Sequence, residues 1–126
     1  MIQITFTYHL TLEAVIAYSQ SIEAPLQQIR DAWIAPATMP ITFWKIADVP
    51  WLDPKTTYIH GKQSFAYNAP LTAGSQLDCV LTLTKVETKS GRSGNLELLT
   101  HTLTCTCKDK PILTAETVLI TIGDPS

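Results

Sequence analysis

From Gly61 to Ile122 hydrophobicity alternates with a period of two, and threonine supplies much of the polar half. The runs are "GKQSFAYNA", "QLDCVLTLTKVE", "LELLTHTLTCTC" and "PILTAETVLITI". Successive side chains on a strand point to opposite faces, so such runs build strands with one buried face. Leu77, Cys79, Leu81 and Leu83 fall together, opposite Asp78, Val80, Thr82 and Thr84. In the next run Leu99, His101, Leu103 and Cys105 oppose Thr100, Thr102, Thr104 and Thr106. Gln63, Phe65 and Tyr67 share a face in the first run. Threonine and branched aliphatics suit a half-buried pleated surface. "PLTAGS", "KSGRSGN" and "KDK" separate the runs as turns. The pattern predicts four long antiparallel strands in a meander, with a threonine face turned to water or to a partner.

The segment ahead of them is mixed. "IQITFTYHL" reads as a short strand. Thr11 is an N-cap for a helix over "LEAVIAYSQSIEA", and "PLQQIRDAWIA" continues as a second short helix with Leu26, Ile29 and Trp33 on one face. Prolines 36, 40, 50 and 54 interrupt the next stretch, leaving "ITFWKIADV" room for one short helix. Strands in sequence with helices gathered on one face make an α+β layer arrangement.

The 126 residues suit a single domain over 1–126, with no repeat or linker. A net charge of −2 argues against nucleic acid, which demands a basic stripe. No run approaches the roughly 18 apolar residues of a membrane span, and no basic leader with an apolar stretch follows Met1. Those features predict a cytoplasmic protein away from the membrane. Cys79, Cys105 and Cys107 are an odd count, with too few companion ligands for a metal, and read as buried free thiols.

Chemistry-bearing residues are sparse. His60 is a candidate proton carrier beside Gly61, where backbone or ligand can approach closely, though a histidine at a loop-to-strand junction more often packs or lines an interface. His101, between Leu99 and Leu103, reads as a satisfied core or interface histidine. Glu13 suits the first helical turn and is a second, weak catalytic candidate. Lys89 and Arg92 sit in a glycine-containing turn, either solvated or facing the phosphates of a nucleotide-bearing ligand. Nucleophile elbows, phosphate loops and zinc spacings are absent.

The stretch "HGKQSFAYNAPLTAGS" followed by "KSGRSG" resembles the N-terminal MaoC-like dehydratase domain, the fatty-acid-synthase-type dehydratase region. The family pattern is roughly H-G-x-Q-x-F-x-Y-x-x-P-L-x-A-G-D and then K-x-G-R-x-G. Here His60, Gly61, Gln63, Phe65, Tyr67, Pro70, Leu71, Ala73 and Gly74 match the first part. Lys89, Gly91, Arg92 and Gly94 match the second. Upstream, "APATMPITF" resembles the segment that leads into the family's wrapped helix. The resemblance implies a hot-dog fold, an antiparallel sheet wrapped around a helix, here "ITFWKIADV". It implies pairing with itself or with a catalytic hot-dog subunit, so that two sheets become continuous.

The implied ligand is an acyl thioester of coenzyme A or acyl carrier protein, with no further cofactor. Phe43, Trp44, Phe65 and Tyr67 are candidate tunnel walls, and His60, Gly61 and Arg92 further ligand contacts. Active members carry an Asp and a His in D-x-N-P-x-H. The corner taken as equivalent, "YNAPLTAG", has Asn68 and Pro70 but neither catalytic group, and Ser75 replaces the Asp of the longer pattern. The expectation is an acyl-thioester-binding, partner-dependent subunit of an (R)-specific enoyl thioester hydratase or dehydratase. The alternatives are a hot-dog thioesterase using Glu13 or His60, and a non-enzymatic acyl-CoA-binding module.

Overall fold

The computed structural model describes residues 2–91 and 94–122. The period-two runs fold as expected into β4 (Ile59–Tyr67), β5 (Gln76–Gly91), β6 (Gly94–Cys107) and β7 (Lys110–Ile122), preceded by β1 (Ile2–His9). All five pair antiparallel in the order β1-β5-β6-β7-β4. This differs from a simple meander in one respect. β4 lies beside β7 at the far edge instead of beside β5. The eight residues from Asn68 to Ser75 are too many for a tight hairpin, and they carry the chain from one edge of the sheet to the other strand.

The registers put the alternation to work. Cys79 faces Cys105, Leu81 faces Leu103 faces Ala115, and Leu83 faces His101 faces Thr117. These residues, apart from the half-buried Leu83, are almost wholly buried and form the core with Leu77, Leu99, Leu113 and Leu119. The threonines at 100, 102, 104 and 106 fall on the other face and stay partly exposed.

α1 (Leu12–Ser21) forms where expected. The Thr11 side chain accepts from the backbone N–H of Ala14 at 3.0 Å, satisfying a donor the first turn leaves free. Val15 drops into the core. The expected second helix is instead a hairpin of β2 (Gln27–Ile29) and β3 (Ala32–Ile34). Arg30 and Asp31 both take positive φ, 49° and 67°, the geometry of the two-residue turn that matches strand twist. Long-range pairing decided it, because Ile34 bridges to Thr72 and Ala35 N–H donates to the Leu71 carbonyl.

The expected helix over "ITFWKIADV" is also corrected. Two 3-10 turns, Met39–Thr42 and Ile46–Asp48, occupy that region. Pro40 lies inside the first turn, and Pro50 disfavours helical geometry at Val49. The segment still fills the concave side of the sheet. Met39, Phe43, Val49 and Leu52 are buried, and Phe43 stacks on Tyr8 of β1 with ring centroids 4.1 Å apart. The sheet therefore wraps a short, broken segment together with one face of α1.

Candidate functional site

A cavity of about 620 Å³ opens where the β2–β3 hairpin meets the corner after β4. Its lining comes from three stretches: Ala24, Pro25 and Gln27; Ile34 to Ala37; and Tyr67 to Leu71. The corner is held by backbone bonds: Asn68 N–H donates to the Ile112 carbonyl at 2.7 Å, and Ala73 N–H to that of Trp33 at 2.8 Å. Gly74, at φ 92°, makes the turn and donates to the Leu10 carbonyl at 2.6 Å.

Tyr67 donates its hydroxyl to the Ala37 carbonyl at 2.6 Å. Burial, then the neighbouring Cys105 and Tyr18, push its pKa up to about 12, so at neutral pH the group is a fixed donor. Tyr18, on α1, is bonded in turn to Thr38 at 2.7 Å. The side-chain polar groups of the cavity are therefore Tyr67, Asn68 and Gln27. A wall this apolar with three polar points suits an acyl chain carrying one carbonyl.

The structure separates residues that the sequence grouped. Tyr67 lines the main cavity. Phe43 and Trp44 line a smaller one, about 340 Å³, against Ile4 to Phe6 of β1. Phe65 packs on the core. His60 is exposed at the start of β4, level with Leu119, and roughly 20 Å along the strand from Tyr67 at ~3.3 Å per residue. Gly61 forms a bulge between His60 and Lys62, where an added Cβ would run into the Ile120 side chain. Glu13 is exposed in the first turn of α1. Neither His60 nor Glu13 lines the cavity, and the two are not brought together there. Arg92 lies outside the described residues. Lys89, near the end of β5, pairs with Leu96, nine residues along β6 from the level of Tyr67 and so roughly 30 Å away. Among the described residues no cluster of His, Cys, Asp or Glu is suited to a metal, and no helix is long and apolar enough to cross a membrane.

His101 is wholly buried. Trp51 Nε1–H donates to its Nε2 at 2.9 Å, so the proton sits on Nδ1, 3.1 Å from the Leu99 carbonyl. Burial lowers its pKa, and Trp44 and Trp51 flank the ring with centroids 5.4 and 5.9 Å away. Nearby, Thr117 donates to Gln63 Oε1 at 2.6 Å, while Gln63 Nε2 has no partner among the described residues. Cys79 and Cys105 are buried free thiols with sulfurs 3.5 Å apart, and Cys107 is half-buried.

Sequence reasoning missed the hairpin side of the cavity. Ile22–Gln27 reads I-E-A-P-L-Q and also fits the frame D-x-N-P-x-H, with Pro25 in place, Ile22 at the acid and Gln27 at the histidine. Pro25 was visible as a breaker. Its meeting with Asn68 and Pro70 in one cavity lining depended on folding.

The family described as FAS1-like, dehydratase domain region, matches residues 4–115. A curated relative, a UPF0336 protein of Clavibacter michiganensis subsp. michiganensis, is 30% identical over 97 residues, 72% of this chain. The match spans 63% of that relative's length. Among solved structures, a C-terminally truncated HadBC (3R-hydroxyacyl-ACP dehydratase) complex of Mycobacterium tuberculosis superposes with a TM-score of 0.74 at 16% identity, covering 94% of this chain and 93% of that one. A MaoC-like dehydratase gives 0.73 at 19% identity over 96% of this chain and 41% of its own. The ChsH1–ChsH2 complex of M. tuberculosis gives 0.68 at 12% identity, covering 98% and 86%. A broken central segment wrapped by a five-stranded antiparallel sheet, together with these matches, means that the chain belongs to the FAS1-like dehydratase region family and has the MaoC-like hot-dog fold.

Proposed function

We propose that residues 1–126 form a single hot-dog domain that binds an acyl thioester and serves as the partner-dependent subunit of an (R)-specific enoyl thioester hydratase or dehydratase. The observation that carries this is the chemistry of the main cavity. Its walls are apolar, and its side-chain polar groups, Gln27, Asn68 and Tyr67, include none that titrates near neutral pH. Hydration of an enoyl thioester needs a base for water and a proton donor for the α-carbon. The amides of Gln27 and Asn68 offer donors for a carbonyl oxygen, the Tyr67 proton being given to the Ala37 carbonyl, and the cavity lining holds no such base. The acid and base then come from a second hot-dog chain.

Two features support a paired assembly. β4 is an edge strand of nine residues, and an unpaired edge is a ready template for another strand. Two of the similar structures are complexes by description, HadBC and ChsH1–ChsH2. The test is hydration of a short trans-2-enoyl-CoA by the purified chain, alone and mixed with a hot-dog protein carrying D-x-N-P-x-H. The expected result is no turnover alone and turnover in the mixture that falls when Asn68→Ala is introduced. Turnover by the chain alone refutes the partner-dependent role.

A further inference from the structure

Cys79 of β5 and Cys105 of β6 are direct register partners on adjacent antiparallel strands, and their sulfurs lie 3.5 Å apart. Both are almost wholly buried, in a row that runs from Phe6 through the two cysteines and Leu113 to Tyr67. Neither lines the main cavity. Filling space in the core requires only small apolar side chains there, and two thiols in contact can do more.

We propose that Cys79 and Cys105 form a redox-modification site, closing into a cross-strand disulfide on reaction with hydrogen peroxide or another small hydroperoxide and reopening with a dithiol. Geometry comes first. Directly opposed residues of an antiparallel pair have Cα atoms ~4.5 or ~5.5 Å apart, and both spacings lie inside the roughly 4.4–6.8 Å that a disulfide spans. The sulfurs must approach by about 1.5 Å to reach a bond of ~2.05 Å, which side-chain rotation can supply.

The protons are arranged for it as well. The Cys79 thiol faces the Leu77 carbonyl, 3.8 Å away, so its sulfur is free to accept the Cys105 S–H. That bond lowers the Cys79 pKa, while the same bond and burial raise that of Cys105. Cys79 is thus the attacking thiolate and Cys105 the thiol that resolves it. A disulfide also suits the place. It removes two weak donors and adds no polar group beside Leu81 and Leu103, the core residues next along the same face. Cys107, two residues along β6 and so roughly 7 Å from Cys105, packs against the core and lines cavities of about 250 and 500 Å³. Open space therefore comes close to the pair on that side, and hydrogen peroxide is little larger than water.

The Cys79 thiolate attacks one peroxide oxygen: an S–O bond forms, the O–O bond breaks, and hydroxide leaves and takes up the thiol's proton as water. Cys105 then displaces the hydroxyl from the sulfenic sulfur, forming S–S and releasing a second water. Two thiols lose two electrons in all, and one peroxide becomes two waters. The cysteines are 26 positions apart, and closing a loop of that length lowers the unfolding constant by a factor on the order of several hundred.

The experiment exposes the full chain, wild type and Cys107→Ser, to hydrogen peroxide without denaturant and free of reductant. Samples taken over hours are unfolded in an alkylating reagent and read by intact mass and peptide mapping. In both proteins two alkylatable thiols should disappear together, with a linked peptide pair holding Cys79 and Cys105, and dithiothreitol should restore them. Oxidised Cys107→Ser should unfold at a higher urea midpoint, its unfolding constant reduced by the factor above. A midpoint that does not rise overturns the strain-free closure. Cys79 and Cys105 that stay alkylatable while Cys107 is oxidised overturn the proposal and leave an inert packed pair. So does a link that joins Cys107 to either neighbour or to another chain, or one that forms only when urea populates the unfolded chain. In Cys79→Ala/Cys107→Ser the remaining Cys105 should stay alkylatable, and its conversion to a sulfinic acid there overturns the assignment of Cys79 as the attacking group.

Discussion

Replacing His101 by phenylalanine tests how a polar ring is kept in an apolar sheet. The wild-type ring is wholly buried next to Trp44 and Trp51, beside Leu83 and Thr117 in register, and its lowered pKa reflects burial first. In the unfolded chain the imidazole titrates near ~6.5. Above that value both states are neutral and the histidine adds no pH dependence. As pH falls below it, the unfolded chain takes up a proton that the folded chain refuses. Stability is then lost, with a slope of up to about 1.4 kcal/mol per pH unit, until pH reaches the depressed folded value.

Phenylalanine keeps the flanking ring contacts but leaves the Trp51 Nε1–H and the Leu99 carbonyl without their partner. At pH 8 that should destabilise the fold by about 1–3 kcal/mol. The assay is urea unfolding monitored by tryptophan fluorescence between pH 5 and 8, at one protein concentration. The difference in stability between wild type and His101→Phe should shrink as pH falls below 6.5. A difference that stays constant across this range refutes the assignment of a neutral, burial-depressed histidine.

Two further outcomes rest on single contacts. Gly61→Ala should destabilise by roughly 1 kcal/mol, because the new Cβ meets the Ile120 side chain at a bulge, and the loss should vanish in an Ile120→Ala background. A penalty that persists there places the cause in the backbone. Under native conditions a water-soluble thiol reagent should label Cys107 alone, since Cys79 and Cys105 are buried against each other and both the hydrogen bond to Cys79 and burial push the Cys105 thiol up. Fast labelling of all three refutes the packed thiol pair.

What the sequence settled is what depends on neighbours in the chain. Alternation in "LTLTKVE" and "LTHTLTCTC" assigns each residue a face, because strand geometry has a strict period of two, and Leu81, His101 and Leu103 are buried accordingly. Thr11 announces α1 by the same local logic, through a bond that spans three residues. The family pattern was legible too, since the HGKQSFAY run and its corner are contiguous.

The tertiary structure decided what depends on distant partners. "PLQQIRDAWIA" has a helical spacing of apolar residues, yet Ile34 found a partner in Thr72, and bridging backbone groups overrode propensity. β4 paired with β7 because an eight-residue corner spans the end of the sheet. That corner also made the site. It brought Tyr67 and Asn68 into one cavity lining with Pro25 and Gln27, about forty residues earlier, and left Phe43, Trp44, His60 and Glu13 elsewhere. A strand's faces are set by its own residues, whereas a cavity is the space between segments, and its walls exist only once long-range pairing has placed them.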